Sequence, residues 1–316
     1  MTDTSAGDPA MSVSQGNSVP TERPVPDLDL ARQLVREQFP RWAELPLCPV
    51  EPQGWDNRTF CLGSDLAVRI PSARGYDAQV EKEHRWLPVL AEVLPLPIPK
   101  PVAKGAPSPL FDGPWSVYAW YPGRTLNRAG AREADLAAVA VGLGEFLTAL
   151  RAAPTQDAPP PGAHNCSRGA EFTVYADEAI LALAGLAPEV REIGERCVRR
   201  ATESSWIEAP VWLHGDIAPG NLLLSEGRLS AVIDFGCSAV GDPACDLVAA
   251  WTMFDRETRP LFVRAAGLDQ DTWYRAQGWA AWKAAITLAG ADSMPEVRSL
   301  AERTLVELAE DVAQQA

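Results

Sequence analysis

The stretch VWLHGDIAPGNLLLSEGRLSAVIDFG, residues 211–236, limits what this chain can become more than any other part of it. Apolar runs that look buried carry His214, Asp216, Asn221 and Asp234 at their edges. Polar groups at the margin of a core cost free energy unless something pairs with them. They either tie loops down or meet a ligand. Val211-Trp212-Leu213 and Leu222-Leu223-Leu224 flank a polar loop, Glu226-Gly227-Arg228 is a tight turn, and Ala231-Val232-Ile233 ends at Asp234. The expectation is a small hairpin that gathers Asp216, Asn221 and Asp234 at one end. Two carboxylates and an amide oxygen suit Mg2+, which takes few protein ligands and keeps waters and phosphate oxygens. Gly215 and Gly220 permit tight turns around the loop, and Pro219 stiffens it.

The surrounding sequence sorts into a β-rich first third and a helix-rich remainder. Helical spacing covers Leu28–Gln38, with Asp27 as N-cap. Residues 59–70 read as a hairpin around Gly63-Ser64-Asp65. Residues 77–87 read as a helix that Pro88 ends or kinks. Residues 115–121, WSVYAWY, are strand-like and stop at Pro122-Gly123. Beyond that joint come an Ala/Leu-rich helix over 131–151, a loop over 156–169, and helices near 176–186 and 188–202. From Ala244 onward the chain reads as almost wholly helical, ending in an amphipathic helix with Leu300, Thr304, Leu305 and Leu308 on one face. Two lobes with a cleft between them follow from this order. The expected organisation is a disordered tail over 1–25, a first lobe over 26–121, and a second lobe over 122–316.

Composition removes several classes of function. The 42 acidic and 28 basic residues leave a net charge of −14, against the basic face that nucleic acid requires. Solubility alone accounts for that number; gathered near a cleft, the same charge would suit a small cationic substrate. No apolar run approaches the roughly 20 residues of a membrane span. Six scattered cysteines without a CxxC pair, and no signal pattern, point to free thiols in the cytoplasm. Three histidines make a Cys/His zinc site a poor reading.

His214-Gly215-Asp216, four residues, Asn221, then Ile233-Asp234-Phe235-Gly236 resembles the protein-kinase catalytic set H-R-D-x-x-x-x-N and D-F-G, with Gly in place of Arg. The version with Gly241-Asp242-Pro243 and Asp246 resembles the aminoglycoside phosphotransferase family and its choline-kinase-like relatives. The likeness runs from about Gln53 to the mid-250s. Single elements such as DFG are common by chance; the ordered set at this spacing is specific.

The resemblance implies an α+β, bilobal, protein-kinase-like fold: an N-terminal antiparallel sheet with one helix and a mostly helical C-terminal lobe. It implies Mg2+ and ATP or GTP, with the lobe over 26–121 nucleotide-binding and the lobe over 122–316 catalytic and acceptor-binding. By that likeness Asp216 takes the proton of the acceptor hydroxyl, while Asn221 and Asp234 hold the metal on the nucleotide phosphates. His214 reads as loop scaffold, and Asp246 as loop anchor or helix cap; Asp242 caps the same helix. Asn57, in Gln53-Gly54-Trp55-Asp56-Asn57, falls where a phosphate-covering loop runs, but with one glycine this is also an ordinary turn. Arg69 stands where the family has lysine, and its bidentate guanidinium can serve phosphate. Its helix partner is Glu83, with Glu81 second, and Lys82 is a poor phosphate ligand. Backbone near Ala119–Tyr121 is the expected purine edge.

The implied activity is transfer of the γ-phosphate to a hydroxyl of an antibiotic, aminoglycoside-like or macrolide. The acidic balance tips the choice toward a cationic acceptor. Alternatives are a metabolite kinase of choline, sugar or homoserine type, and a non-catalytic nucleotide-binding pseudokinase. Against the last stand intact Asp216, Asn221 and Asp234. Asp255, Glu257, Asp269, Asp271 and Asp292 are candidates for ammonium groups and are equally ordinary surface charges. Trp273, Trp279 and Trp282 read as core in the region that faces the acceptor in the resembling family.

Overall fold

A computed structural model describes residues 23–129, 134–290 and 294–314. The tail expected over 1–25 lies outside the described residues up to residue 22. Arg23 is already packed: it pairs with Asp77 at 2.7 Å and stacks on Phe111 at 4.5 Å.

The chain opens with helix α1 (Leu28–Gln38), whose N-cap Asp27 accepts from Leu30 N at 2.8 Å. Strands β1 (Leu47–Pro49), β2 (Asn57–Leu62) and β3 (Leu66–Pro71) follow, then helix α2 (Asp77–Ala91), β4 (Pro101–Gly105) and β5 (Trp115–Ala119). The five strands form one antiparallel sheet in the order β1-β2-β3-β5-β4. The β2–β3 hairpin turns between Leu62 and Leu66, with Gly63 at φ 63°. Phe60, Leu62, Val68, Ile70, Trp115 and Val117 bury one face of this sheet against Ala31, Leu34 and Val35 of α1. The N-terminal sheet therefore packs with two helices, since α1 covers the face that α2 does not. Helix α2 does not stop at Pro88; it runs to Ala91 because Leu87 and Leu90, both buried, anchor its last turn to the large core.

After Gly123 come β6 (Arg124–Thr125), α3 (Leu126–Ala129), α4 (Leu136–Arg151), α5 (Thr173–Ala184) and α6 (Pro188–Thr202). Helix α4 starts at Leu136, after the Asp135 cap and five residues beyond the expected start at 131; residues 130–133 lie outside the described residues. Then follow β7 (Val211–Leu213), β8 (Leu222–Ser225), β9 (Arg228–Val232) and β10 (Ala239–Gly241). Helices α7 (Ala249–Thr252), α8 (Arg259–Ala266), α9 (Gln270–Ala289) and α10 (Pro295–Gln314) complete the chain. The hairpin expected from residues 211–236 is β8–β9 alone. Strand β7 pairs instead with β10, because β8 already has β9 on one edge and β6 on the other. The helices share one core, in which α9 buries Ala276, Trp279, Ala280, Trp282 and Ala285. A buried ion pair, Arg275 Nε to Asp242 Oδ2 at 2.7 Å, ties α9 to the turn before α7. Among the described residues no helix is long and apolar enough to cross a membrane.

Candidate active site

Strand β7 delivers the chain into a loop held by its backbone. The N–H groups of His214 and Gly215 each donate to Asp246, at 2.7 Å to Oδ2 and 2.7 Å to Oδ1. Gly215 sits at φ 83°, and a Cβ there would lie 2.3 Å from the Cys237 carbonyl oxygen, so only glycine fits. The fully buried His214 donates from Nε2 to Ile233 O at 3.0 Å and accepts from Asp216 N at Nδ1, 3.2 Å away. The imidazole thus joins both ends of the 214–234 segment and points no proton at the cleft.

Asp216 and Asn221 meet directly. Asn221 Nδ2 donates to Asp216 O at 2.8 Å and to Oδ2 at 3.1 Å. Asn221 O accepts from Ile233 N at 2.9 Å, which sets the start of β8 beside the end of β9. Asp234 follows in a left-handed conformation, φ 70°, unusual for a residue with a side chain and found where surroundings over-determine it. Its Oδ1 accepts from Arg69 Nη2 at 2.8 Å.

Arg69 reaches across from β3 to Asp234 on one side and to Glu83 on the other, at 3.5 Å. Glu83 is buried and also accepts from the Tyr118 hydroxyl. Burial alone pulls the Arg69 guanidinium down, but Asp234, Glu83 and Asp56 together push it well above its ordinary value. Asp56 shares this crowd of carboxylates: burial first, then Asp234, pushes its carboxyl up to about 7. Helix α2 is fastened to the same region by Lys82, whose Nζ donates to Gly236 O at 2.6 Å and Ser238 O at 2.9 Å. Lys82 is therefore a structural tether with no reach to a phosphate. Glu81 pairs with Lys104 at the surface.

A cleft of about 730 Å3 runs between the sheet and the helical part, lined by Arg69, Asn221, Asp234, Ala119 and Tyr121 among others. Of the expected nucleotide contacts, Arg69, Ala119 and Tyr121 line the cleft and Asn57 does not. Asn57 is buried at the start of β2 and does not line the cleft, because the strand turns its side chain inward; Gln53, Gly54 and Thr59 line it instead. The Ala119 N–H donates to Lys100 O at 2.9 Å within the sheet, so it is not free for a ligand. Glu83 does not line the cleft and acts through Arg69.

Asp216 opens on a separate, narrow pocket formed with Arg168, Ile217, Trp279, Trp282 and Lys283. Lys283 Nζ lies 3.2 Å from Asp216 Oδ1. Burial raises the Asp216 carboxyl, but Lys283 and His214 outweigh it and hold the group below its ordinary value. Sequence reasoning missed Lys283, Arg168 and Asp56. The one available signal for Lys283 is its spacing from Trp279, four residues along the same helix face. Among the proposed ammonium sites, Asp255 and Asp269 cap local turns, accepting from Thr258 N at 3.0 Å and Thr272 N at 2.8 Å. Asp292 lies outside the described residues.

The metal expectation can be tested on the donor atoms. Asn221 Nδ2 is taken by Asp216, which leaves the amide oxygen for a cation, and Asp234 keeps its second oxygen beside it in chemistry and charge. Among the described residues no three Cys, His, Asp or Glu side chains gather as a self-sufficient metal site. Two protein oxygens completed by phosphate oxygens and water is the usual form of a Mg2+ site, so the set fits.

Comparison with known proteins agrees with this geometry. Solved structures with the same fold include the GDP complex of aminoglycoside 2'-phosphotransferase-IIIa, at 20% identity and TM-score 0.71, covering 89% of this chain and 99% of that one. Macrolide 2'-phosphotransferase MphH from Brachybacterium faecium matches at 21% identity and TM-score 0.58, over 88% and 97% of the two chains. A GDP and kanamycin complex of APH(2")-IIia matches at 21% identity and TM-score 0.67, over 90% and 98%. No curated protein sequence matches closely enough to count as a relative. Residues 48–284 match the phosphotransferase enzyme family, so the chain belongs to that family and is a phosphotransferase of the kinase type.

Proposed function

From that membership we propose that the protein moves the γ-phosphate of ATP or GTP onto a hydroxyl of a small-molecule acceptor, with Mg2+. The observation that carries this reading is the direct Asp216–Asn221 contact, with Asn221 and Asp234 both on the cleft. Asp216 orients the acceptor hydroxyl and takes its proton as the oxygen–phosphorus bond forms. The bridging oxygen bond to the γ-phosphorus breaks, and the nucleoside diphosphate leaves. Asn221 and Asp234 would hold Mg2+, which would supply charge neutralisation at the phosphate oxygens. Arg69, oriented by Glu83, bridges phosphate oxygens, and the segment near Tyr121 receives the purine. His214 and Asp246 act as scaffold: they fix the backbone from which Asp216 projects. Antibiotics are the acceptors for which the structural neighbours are named, so aminoglycosides and macrolides form the first panel.

The test is Asp216→Asn. The isostere keeps the Asn221 contact sterically but cannot accept the hydroxyl proton, so transfer drops by about 10^2–10^4-fold while nucleotide binding persists. Unchanged phosphorylation of every acceptor that the wild type uses would refute the assignment.

A further inference from the structure

The β1 edge of the N-terminal sheet sets two thiols opposite each other. Strands β1 and β2 pair so that Cys48 and Cys61 are direct partners, between the pairs Leu47–Leu62 and Pro49–Phe60. Gly63 N donates to Pro46 O at 2.8 Å, and Val50 N to Thr59 O at 3.0 Å. Hydrogen-bonded pairs alternate along an antiparallel ladder, so Cys48–Cys61, midway between those two, is also hydrogen-bonded. Its Cα atoms are then about 5.5 Å apart, inside the range of about 4.4–6.8 Å that a disulfide spans. Side chains of directly opposed residues share a face. Reagents can reach both thiols, since Cys48 is exposed and Cys61 half-buried.

The pair lies on the cleft side of the sheet. Leu47, Phe60 and Leu62 are buried in the core under α1, so Cys48 and Cys61 take the other face. Val50 and Thr59, the next pair on that face, line the cleft, as do Ala67, the β3 partner of Cys61, and Arg69, the partner of Thr59. A link between the thiols closes a ring that includes Gln53 and Gly54 of the cleft wall. Gln53 holds Thr59 with both ends of its amide: Nε2 donates to Thr59 O at 3.0 Å, and Oε1 accepts from Thr59 N at 2.8 Å. A shift of Thr59 therefore carries Gln53 with it.

We propose that Cys48 and Cys61 form a redox-modification site: a dithiol that a low-molecular-weight disulfide converts into a reversible cross-strand bridge, which weakens nucleotide binding in the cleft. The bridge stands apart from the proposed function, and its effect on the nucleotide rests on that reading. The exposed Cys48 thiolate attacks the small disulfide, whose S–S bond breaks and releases one thiol. Burial and then Cys48 push the Cys61 thiol up, so Cys61 enters second. It gives its proton to water, attacks the Cys48 sulfur of the mixed disulfide and releases the second thiol. Two cysteines lose two electrons, and one small disulfide is reduced to two thiols. Cβ atoms of a hydrogen-bonded pair stand about 5.5 Å apart, and a disulfide brings them to about 3.8 Å. The bridge thus draws β1 and β2 together and displaces the neighbouring Val50–Thr59 pair. A bridge under that tension is readily reduced, which makes it a switch rather than a permanent staple.

The full chain is equilibrated with oxidised glutathione without denaturant, alkylated, and mapped by mass spectrometry. Wild type is expected to lose alkylation at Cys48 and Cys61 together, with their peptides linked, and to regain it in reduced glutathione. Cys48→Ser and Cys61→Ser form no bridge, and Cys166→Ser still does. ATP affinity with Mg2+ is read by displacement of a fluorescent ATP analogue. It is expected to be weaker by about threefold or more in oxidised wild type, and equal in both buffers for the double variant Cys48→Ser/Cys61→Ser. Coupling of this kind is reciprocal, so saturating ATP shifts the glutathione equilibrium toward the dithiol by the same factor. A bridge that forms only in denaturant, or stable glutathione adducts at these cysteines in its place, overturns the proposal. So does a bridge that leaves ATP affinity unchanged. Failure of the reduced protein to bind ATP or GTP overturns the kinase reading instead, and the bridge is still read by mass.

Discussion

Asp246→Ala removes the two hydrogen bonds that shape the loop before Asp216. The carboxylate is 3% exposed, and it accepts from His214 N and Gly215 N at 2.7 Å each. Truncation leaves two buried N–H groups without acceptors, each costing about 1–3 kcal/mol, for a sum of about 2–6 kcal/mol. One effect runs the other way. Burial keeps the Asp246 carboxyl above its ordinary range, so removing it also removes an unfavourably placed charge. The net loss falls at about 2–4 kcal/mol on that balance. Asp246→Asn separates the contributions: it has no charge and retains one acceptor oxygen, so it costs about 1–3 kcal/mol. Urea unfolding reads both variants, with the midpoint shifting at constant slope if only stability changes. Hydrogen exchange at the amides of His214 and Gly215 reads the loop directly. Phosphotransfer should fall further than stability does, since a displacement of about 1 Å at Asp216 costs on the order of 10^2-fold. An alanine variant within 0.5 kcal/mol of wild type, by about the spread of ordinary surface substitutions, with both amides still protected, would refute the anchoring argument.

Arg69→Ala should lower kcat/KM for the nucleotide by an amount equivalent to about 2–5 kcal/mol, because it deletes the cation beside three carboxylates and, under the proposed function, the phosphate contact. Unchanged nucleotide kinetics would move the phosphate contact to another residue. Arg275→Ala leaves Asp242 buried without its partner and should cost about 3–5 kcal/mol in urea unfolding; a cost under about 1 kcal/mol would mean that water replaces the guanidinium. Asp56→Asn should stabilise the nucleotide-free protein in a pH-dependent way. The folded Asp56 carboxyl lies at about 7, above its unfolded value of 3.8, so the folded state holds the proton more tightly and stability falls as pH rises from about 4 to about 7. The variant should therefore match wild type near pH 4 and gain on it by at most about 4 kcal/mol at pH 8. A gain of equal size at both pH values would refute the electrostatic origin.

The ordered set from His214 to Gly236 made the kinase-like fold legible, because catalytic spacing and strand punctuation occur together in one short stretch. Strand pairing within that stretch was not legible. Residues 211–213 and 222–224 look like the two arms of a hairpin, yet β8 has both edges filled by β6 and β9, and β7 finds β10. Edge occupancy depends on strands that are far away in sequence. Asn57 shows a second limit: one polar residue at the start of a strand points inward or outward according to register, and register was set by pairing with Pro71. Lys283 and Arg168 show a third. Each is a single cation in a helix or loop rich in other features, and only the packing of α9 against the loop before α5 brings both to Asp216.

That last case bears on how a net charge of −14 should be read. Around Arg69 stand Asp56, Glu83 and Asp234, three carboxylates to one guanidinium. Around Asp216 stand Lys283 and Arg168, two cations to one carboxylate. Asn221, a neutral amide that lines the cleft and bonds Asp216, joins the two ends. Under the proposed function, the acidic end would disfavour a bare nucleotide, whose phosphates would meet Asp234 and Asp56, and would favour one that arrives with a divalent cation between them. On that reading nucleotide affinity and metal affinity at this end rise together, each ligand removing the repulsion that opposes the other. The end at Asp216 has the opposite local sign. The total charge of the chain describes neither end, because the groups that set the two local signs are a small fraction of those summed and they largely cancel across the site.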